Sequence, residues 1–508
     1  MVIRFKFTFS ASSERRLLTI STITKTNMNW YLPAIALYLI LVVFVCFRIL
    51  YDIRSASKTF AYLLITILVP VIGMVIYFAV GANYRKNKLY SKKIVSDSKL
   101  RAEIREKIVA ESEKTWNTGD NDLKGRRKLT RLLLNDNSPL TGNNDVKLYV
   151  NGEEKFPDVI TALKNAKHHI HMEYYIYEDG DIGNQIKDIL IKKAAEGVQV
   201  RFIYDDFGSR SIRHTLVPQL IAGGVEAFPF YKILFIALSN RTNYRDHRKI
   251  IVIDGCTGFV GGINVSDRYI NNRGKKQVYW RDTHLRINGP GVYYLQYLFI
   301  CDWNFSAGKK LRLEKEFFCS TESANGEAIV QIAASGPDSD IPTIMYSLIQ
   351  AIGLAEEELL ITSPYFIPGE SVLDALNVAA RSGVKVKLLV PGRSDLALVN
   401  AASRSYYREI LDAGVEVYLY KKGFVHAKTL VADGQLAIVG TANMDQRSFE
   451  LNFEVNSIIY DDKVAGQLRN IFYNDIKDAV MINPKKWAKR SLFKQLPEKL
   501  VRLLSPLM

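Results

Sequence analysis

The chain is short of the residues that build metal or disulfide scaffolds. Its 508 residues include four cysteines, Cys46, Cys256, Cys301 and Cys319, with no CxxC pair among them. Such scatter excludes a zinc-ribbon or disulfide framework and suits a reducing compartment. Acidic residues are also in deficit, 52 against 68 Lys and Arg, leaving a net charge of +16 that favours an anionic partner. Long apolar runs are missing from most of the chain. The segment Met1–Asn29 is polar and rich in Ser and Thr, so it lacks the apolar core of a cleaved signal peptide. Met28, opening MNWYLPAIALYL, is a plausible alternative start.

Two uncharged apolar runs then follow, Trp30–Phe47 and Phe60–Val80. Each is near the roughly twenty residues a helix needs to cross hydrocarbon. They predict a transmembrane hairpin over 29–81, with spans at about 30–47 and 60–80; Pro70 and Gly73 are tolerable inside a membrane helix. Arg85, Lys86, Lys88, Lys92, Lys93 and Lys99 follow the second run, whereas Arg48, Arg54 and Lys58 oppose Asp52 in the connection. That bias predicts a multi-pass protein with its catalytic part in the cytoplasm. Residues 82–140 read as a charged helical linker with a solvated face.

What the remainder does contain is a pattern written twice: His247-x-Lys249-x4-Asp254 and His426-x-Lys428-x4-Asp433. Each copy continues into a Gly-rich turn ending in Asn, GGIN at Asn264 and GTAN at Asn443. One match is unremarkable; two with matching downstream offsets are not. Apolar residues after each His read as a buried strand, so His and Lys, two apart, leave the same face. Arg248 and Ala427 point the other way. The repeat extends outwards: AAEGVQVRFIYDD from Ala194 matches AARSGVKVKLLVPG from Ala379, and AGGVEAFPF from Ala222 matches DAGVEVYLY from Asp412. The fold class is therefore α/β, two pseudo-symmetric halves, 141–325 and 326–482, each a sheet flanked by helices. One active site between the halves would use a His from each.

Two facing imidazoles supply what phosphodiester exchange needs, one to attack phosphorus and one to protonate the departing alkoxide, in a ping-pong reaction through a phosphohistidine. Which does which is open, because the motifs are nearly symmetric. Lys249 and Lys428 would balance the nonbridging oxygens, with Asn264 and Asn443 donating to them. No metal or cofactor is required. Asp282 in YWRDTHLRI and Glu454 in NFEVN join the Asn pair in the substrate-binding set, and are the best candidates to fix the tautomer of each His. Asp254 and Asp433, beside Gly255 and Gly434, suit the tying of turn to strand.

The duplicated motif with its downstream G-x-N resembles the phospholipase D superfamily, and NYRDHRKIIVIDG, SPYFIPGES, GFVHAKTLVADG and GTANMDQRSFELNFEVN resemble the bacterial cardiolipin synthases within it. The resemblance runs from about Trp30 to the C-terminus. It implies that two phosphatidylglycerol molecules give cardiolipin and glycerol at the bacterial inner membrane, with His, Lys and Asp of both motifs as the active-site set. Gly262 stands where many superfamily members carry Ser or Thr, though Thr441 is retained, so a hydroxyl contact to phosphate is expected to be missing on one side. A hydrolytic phospholipase D and a membrane-tethered nuclease share the first chemical step; a scaffold would need degenerate motifs, and neither copy has lost a residue. Two apolar spans with a basic amphipathic tail over 483–508 favour anionic lipid over nucleic acid, each surface Lys or Arg being worth on the order of 1 kcal/mol near such a bilayer. An apolar insertion, Ile233–Leu238, reads equally as a loop that dips into the bilayer and as one that packs on the domain. His168, His169 and His171 read as structural, Tyr244 and Arg245 as possible headgroup contacts, and Glu173 and Ser363 as equivalent residues at the pocket mouth.

Overall fold

The computed structural model describes residues 12–52, 56–78, 98–119, 123–231, 244–271, 277–308, 311, 314–318, 326–503 and 505. The chain divides into a small unit, Met1–Tyr84, and a large one that takes up nearly all of residues 85–508. The insertion Ile233–Leu238, the basic run Arg85–Lys93 and Cys319 lie outside the described residues.

In the small unit a helix covers Ser12–Asp52. Its stretch Tyr31–Asp52, 22 residues of mean hydropathy 2.5, is long and apolar enough to cross a membrane. The second run is not the single span expected over 60–80. It forms two helices, Ala56–Leu68 and Pro70–Ile76, separated at Val69, whose φ of −137° and ψ of 72° leave the helical region. Pro70 has no N–H to bond the preceding turn and begins a new helix instead. The chain doubles back there: a Cβ on Gly73 would lie 2.4 Å from Thr66 Cα, and the rings of Tyr62 and Tyr77 are 6.1 Å apart. Gly73 permits this approach because it carries no side chain.

The large unit is organised on a sixteen-stranded sheet. Seven strands come from the first half: β1 (Thr141–Val150), β2 (His169–Tyr174), β3 (Gln199–Asp205), β4 (Glu226–Phe230), β5 (Lys249–Ile253), β6 (Thr257–Gly261) and β7 (Thr283–Asn288). The second half repeats them as β8 (Ala328–Ser335), β9 (Glu358–Thr362), β10 (Lys385–Pro391), β11 (Glu416–Tyr420), β12 (Thr429–Ala432), β13 (Leu436–Gly440) and β14 (Asn452–Tyr460), and adds β15 (Ala479–Met481). The order is β15-β11-β10-β9-β12-β13-β14-β8-β1-β7-β6-β5-β2-β3-β4, in which, β15 apart, equivalent strands follow in the same order outwards from the β8-β1 seam in both directions. The sixteenth strand, Arg245–Asp246, pairs with β14.

Each half has its own helix-covered core, one around Phe202, Ile251 and Phe259 and one around Ile361, Leu388 and Ile438. A third core contains Ile250, Val252 and Val260 together with Val431, Val439 and Val455, so residues of both halves fuse into one apolar seam. The stretch expected to be a solvated linker is partly structural. Leu123, Leu129, Leu133 and Leu140 are fully buried in the core of the second half; Leu129 and Leu133, four apart, lie on the buried face of the helix Arg127–Asn135.

At the other end, helix Leu492–Arg502 continues through Pro497. Its Glu498 receives Arg404 at 2.8 Å and Arg490 at 2.8 Å, and Arg502 reaches Glu409. The charged face therefore docks on the protein. Leu492, Phe493, Leu496, Leu500 and Leu503 are left exposed, Phe493 by 92 %.

Candidate active site

Two short parallel pairings place the histidines. Arg245–Asp246 runs beside Asn452–Phe453, and the His247 N–H donates to Phe453 O at 2.9 Å. In the second half Gly423–Val425 runs beside Tyr279–Arg281, and the His426 N–H donates to Arg281 O at 2.7 Å. Each histidine is thus pinned by the residue just before the carboxylate of the opposite half. His247 Nδ1 lies 2.9 Å from Glu454 Oε2, and His426 Nδ1 lies 2.7 Å from Asp282 Oδ2. The partners are exchanged between the repeats.

Asp282 and Glu454 are fully buried. Their other oxygens accept from Thr283 N and Asn452 Nδ2, at 2.7 and 3.1 Å. The assignment of this pair to substrate binding is corrected accordingly: both stand behind the imidazoles. With Nδ1 held, Nε2 is the nitrogen each ring has left for chemistry. Arg248 reinforces one side, pairing with buried Asp302 and reaching the Glu454 carbonyl; its counterpart is Ala427.

Lys249 and Lys428 each place Nζ 2.5 Å from the carbonyl oxygen of their own histidine, and Lys428 Nζ also lies 3.1 Å from His426 Nε2. The two sets share one electrostatic site. Lys428 acts on His247, and Lys249 on His426. Burial, against the pull of the carboxylates, lowers both imidazoles to about 4, leaving them neutral at rest. Burial likewise brings Lys249 down to about 7 and Lys428 to about 8. Burial pushes Glu454 upwards, but His247 and Lys249 outweigh it and hold the carboxyl at about 2.

Other expected residues are placed differently. Asn264 is already engaged, its Oδ1 accepting from Ile176 N at 3.2 Å and its Nδ2 donating to Tyr269 OH at 2.8 Å. Asn443 keeps a buried Oδ1 with no partner. Asp254 and Asp433 are remote from the imidazoles. Asp254 accepts from the N–H groups of Lys167, His168 and His169 at 2.8–3.0 Å, and Asp433 from those of Glu356, Glu357 and Glu358 at 2.8–2.9 Å. Both have positive φ, 50° and 53°, as do the following glycines, making Asp-Gly hairpin turns that anchor β2 and β9. The active-site place that the resemblance implies for these two gives way to this anchoring of backbone. Gly262 has a local cause: a Cβ there would lie 2.1 Å from Asp282 Oδ1. The hydroxyl of Thr441 is engaged by backbone, accepting from Val455 N at 2.9 Å and donating to Val455 O at 3.2 Å.

Glu173 is fully buried beside Asp246, Arg248 and Asp302, with its carboxyl held well above the usual range by burial and then by the two aspartates. It does not line a pocket mouth, and strand register makes it equivalent to Thr362, not Ser363. Ser363 Oγ accepts from Met444 N. His171 stacks on Phe299 at 4.4 Å. Arg245 stacks on Phe207 at 4.2 Å. Cys256 is disulfide-bonded. Sequence reasoning missed the aromatic frame of the imidazoles: Tyr175 stands edge-on to His247 at 4.8 Å, and Trp280 and Tyr269 lie 5.4 and 6.1 Å from His426. Their spacing from the motifs carries no signal.

Comparison with known proteins agrees with this construction. A family model described as "Cardiolipin synthase, PLD-like domain" matches residues 159–285 and again 348–476, and one described as "Phospholipase_D-nuclease N-terminal" matches 37–81. A cardiolipin synthase of Listeria innocua is 39 % identical over 476 residues, covering 93 % of this chain and 98 % of that one. One from Alkalihalophilus pseudofirmus is 40 % identical, covering 92 % of each. Among solved structures, the phosphatidylserine synthase of Haemophilus influenzae aligns with a TM-score of 0.56 at 17 % identity, over 75 % of this chain and all of that one, a likeness of fold.

Proposed function

Because the chain belongs to the cardiolipin synthase family of phospholipase D-like enzymes, we propose that it carries out phosphatidyl transfer between two phosphatidylglycerol molecules through a phosphohistidine at its two exchanged His–carboxylate pairs. The observation that carries the mechanism is the exchange itself, His247 on Glu454 and His426 on Asp282. One Nε2 attacks phosphorus while the other imidazole, protonated, gives its proton to the leaving glycerol oxygen. Now neutral, that second imidazole takes the proton of the incoming hydroxyl, and the phosphatidyl group leaves the first histidine as cardiolipin. Lys249 and Lys428 balance the charge that gathers on the nonbridging oxygens.

The protein is an enzyme of membrane lipid, anchored through its N-terminal apolar helix. We place the catalytic part on the cytoplasmic side, following the Lys and Arg bias. The exposed apolar row of helix Leu492–Arg502, among Lys489, Lys494 and Lys499, suits contact with an anionic bilayer. Purified protein with phosphatidylglycerol vesicles is expected to yield cardiolipin and glycerol in equal amounts by lipid mass spectrometry and glycerol assay. Phosphatidic acid as the main product would make it a hydrolase.

A proton balance follows from the resting site. Both imidazoles are neutral near pH 7, yet the first step needs one charged. A bound phosphodiester monoanion raises the pKa of the groups around it, so binding takes protons from solution and its affinity falls as pH rises. Calorimetry of a phosphonate analogue of phosphatidylglycerol, in buffers of differing ionisation enthalpy at pH 7, is expected to show net uptake. Binding without proton exchange would refute this balance.

A further inference from the structure

The N-terminal unit carries an inference about the bilayer itself. Residues 59–84 contain no charge, and a plot of hydropathy makes them a second crossing. Their geometry does not. Helix Ala56–Leu68 has 13 residues, about 20 Å at 1.5 Å per residue, short of a hydrocarbon core about 30 Å thick. The chain then reverses at Val69–Pro70 and returns along its own path, Gly73 against Thr66 and Tyr77 against Tyr62. The return reaches the level at which the first helix ends: Tyr77 OH donates to Asp52 Oδ2 at 2.8 Å, and Arg48 Nε donates to the same oxygen at 3.1 Å. A helix that leaves Asp52, turns and comes back to Asp52 has not crossed.

We propose that Ala56–Ile76 is a re-entrant hairpin seated in the hydrocarbon of one leaflet, so that the protein crosses the membrane once, at Tyr31–Asp52. Two observations fit this occupant. The hairpin is apolar where it is bare: Leu68, Val69, Val71, Ile72 and Val75 are all exposed, at the tip and along the return. Its turn keeps part of its backbone bonded, since Val69 N and Gly73 N still donate at 2.9 and 2.8 Å and Pro70 has no N–H to leave bare.

Single cysteines test this in the full chain with Cys46, Cys256, Cys301 and Cys319 replaced by alanine and cardiolipin formation retained. Ser21→Cys, Ser57→Cys and Glu113→Cys are each probed with a membrane-impermeant maleimide in right-side-out and inside-out vesicles. The proposal expects Ser21→Cys to label in right-side-out vesicles, and Ser57→Cys and Glu113→Cys to label together in inside-out vesicles. Labelling of Ser57→Cys on the side opposite to both others gives two crossings and overturns it. Labelling of all three on one side removes the crossing and overturns it equally. Neither result depends on the phosphoryl-transfer chemistry, which the activity of the same variants reads separately.

Discussion

Replacing His247 or His426 with alanine is expected to lower cardiolipin formation on the order of 10³-fold or more, because each removes a group that the two-step reaction uses in both steps. The two variants should differ in what they accumulate. Loss of the attacking imidazole leaves no covalent adduct; loss of the acid leaves a phosphohistidine that forms slowly and persists. Quenching with labelled phosphatidylglycerol and sequencing the modified peptide would identify the nucleophile, a distinction the near-symmetric motifs do not make. Activity within tenfold of the parent in either variant would remove the paired-imidazole mechanism.

The second large effect concerns the carboxylates. Asp282→Asn and Glu454→Gln should each cost about 10²–10⁴-fold, since an amide in place of the carboxylate favours the wrong tautomer and no longer stabilises the imidazolium. The site of damage is the informative part. Asp282 lies 35 residues after His247 in sequence but bonds His426. Asp282→Asn is therefore expected to move the ring ¹⁵N resonances of His426 and leave those of His247 largely in place, with Glu454→Gln doing the converse. The opposite pattern would mean that each repeat serves its own histidine.

Much of this was open to reading in advance, and the failures have physical causes. The paired motifs, the Asp-Gly turns at Asp254 and Asp433 and the matched strands β3 and β10 all carry local signals of spacing and turn chemistry. The exchange of carboxylates carries none, because it is decided by pairings between Arg245–Asp246 and β14, residues about two hundred positions apart. Position within a conspicuous motif also misled: Asp254 and Asp433 complete the pattern, yet they sit at the far end of their strands and hold backbone. Summed hydropathy reads 60–80 as one helix because it averages over composition and is blind to the break at Val69. Buried Leu123, Leu129, Leu133 and Leu140 were hidden by the Lys and Arg written between them.

The reciprocal wiring of the catalytic centre restricts how such a chain can change over generations. A tandem repeat usually has a spare: one copy is free to decay or acquire a new role while the other keeps the old one. Here each ring leans on a carboxylate of its sibling, so a lesion in either copy is expected to disable both and neither is redundant. Duplication and fusion, once completed, became a ratchet. The same interdependence means that the two segments, supplied as separate polypeptides, would regain competence only on meeting each other.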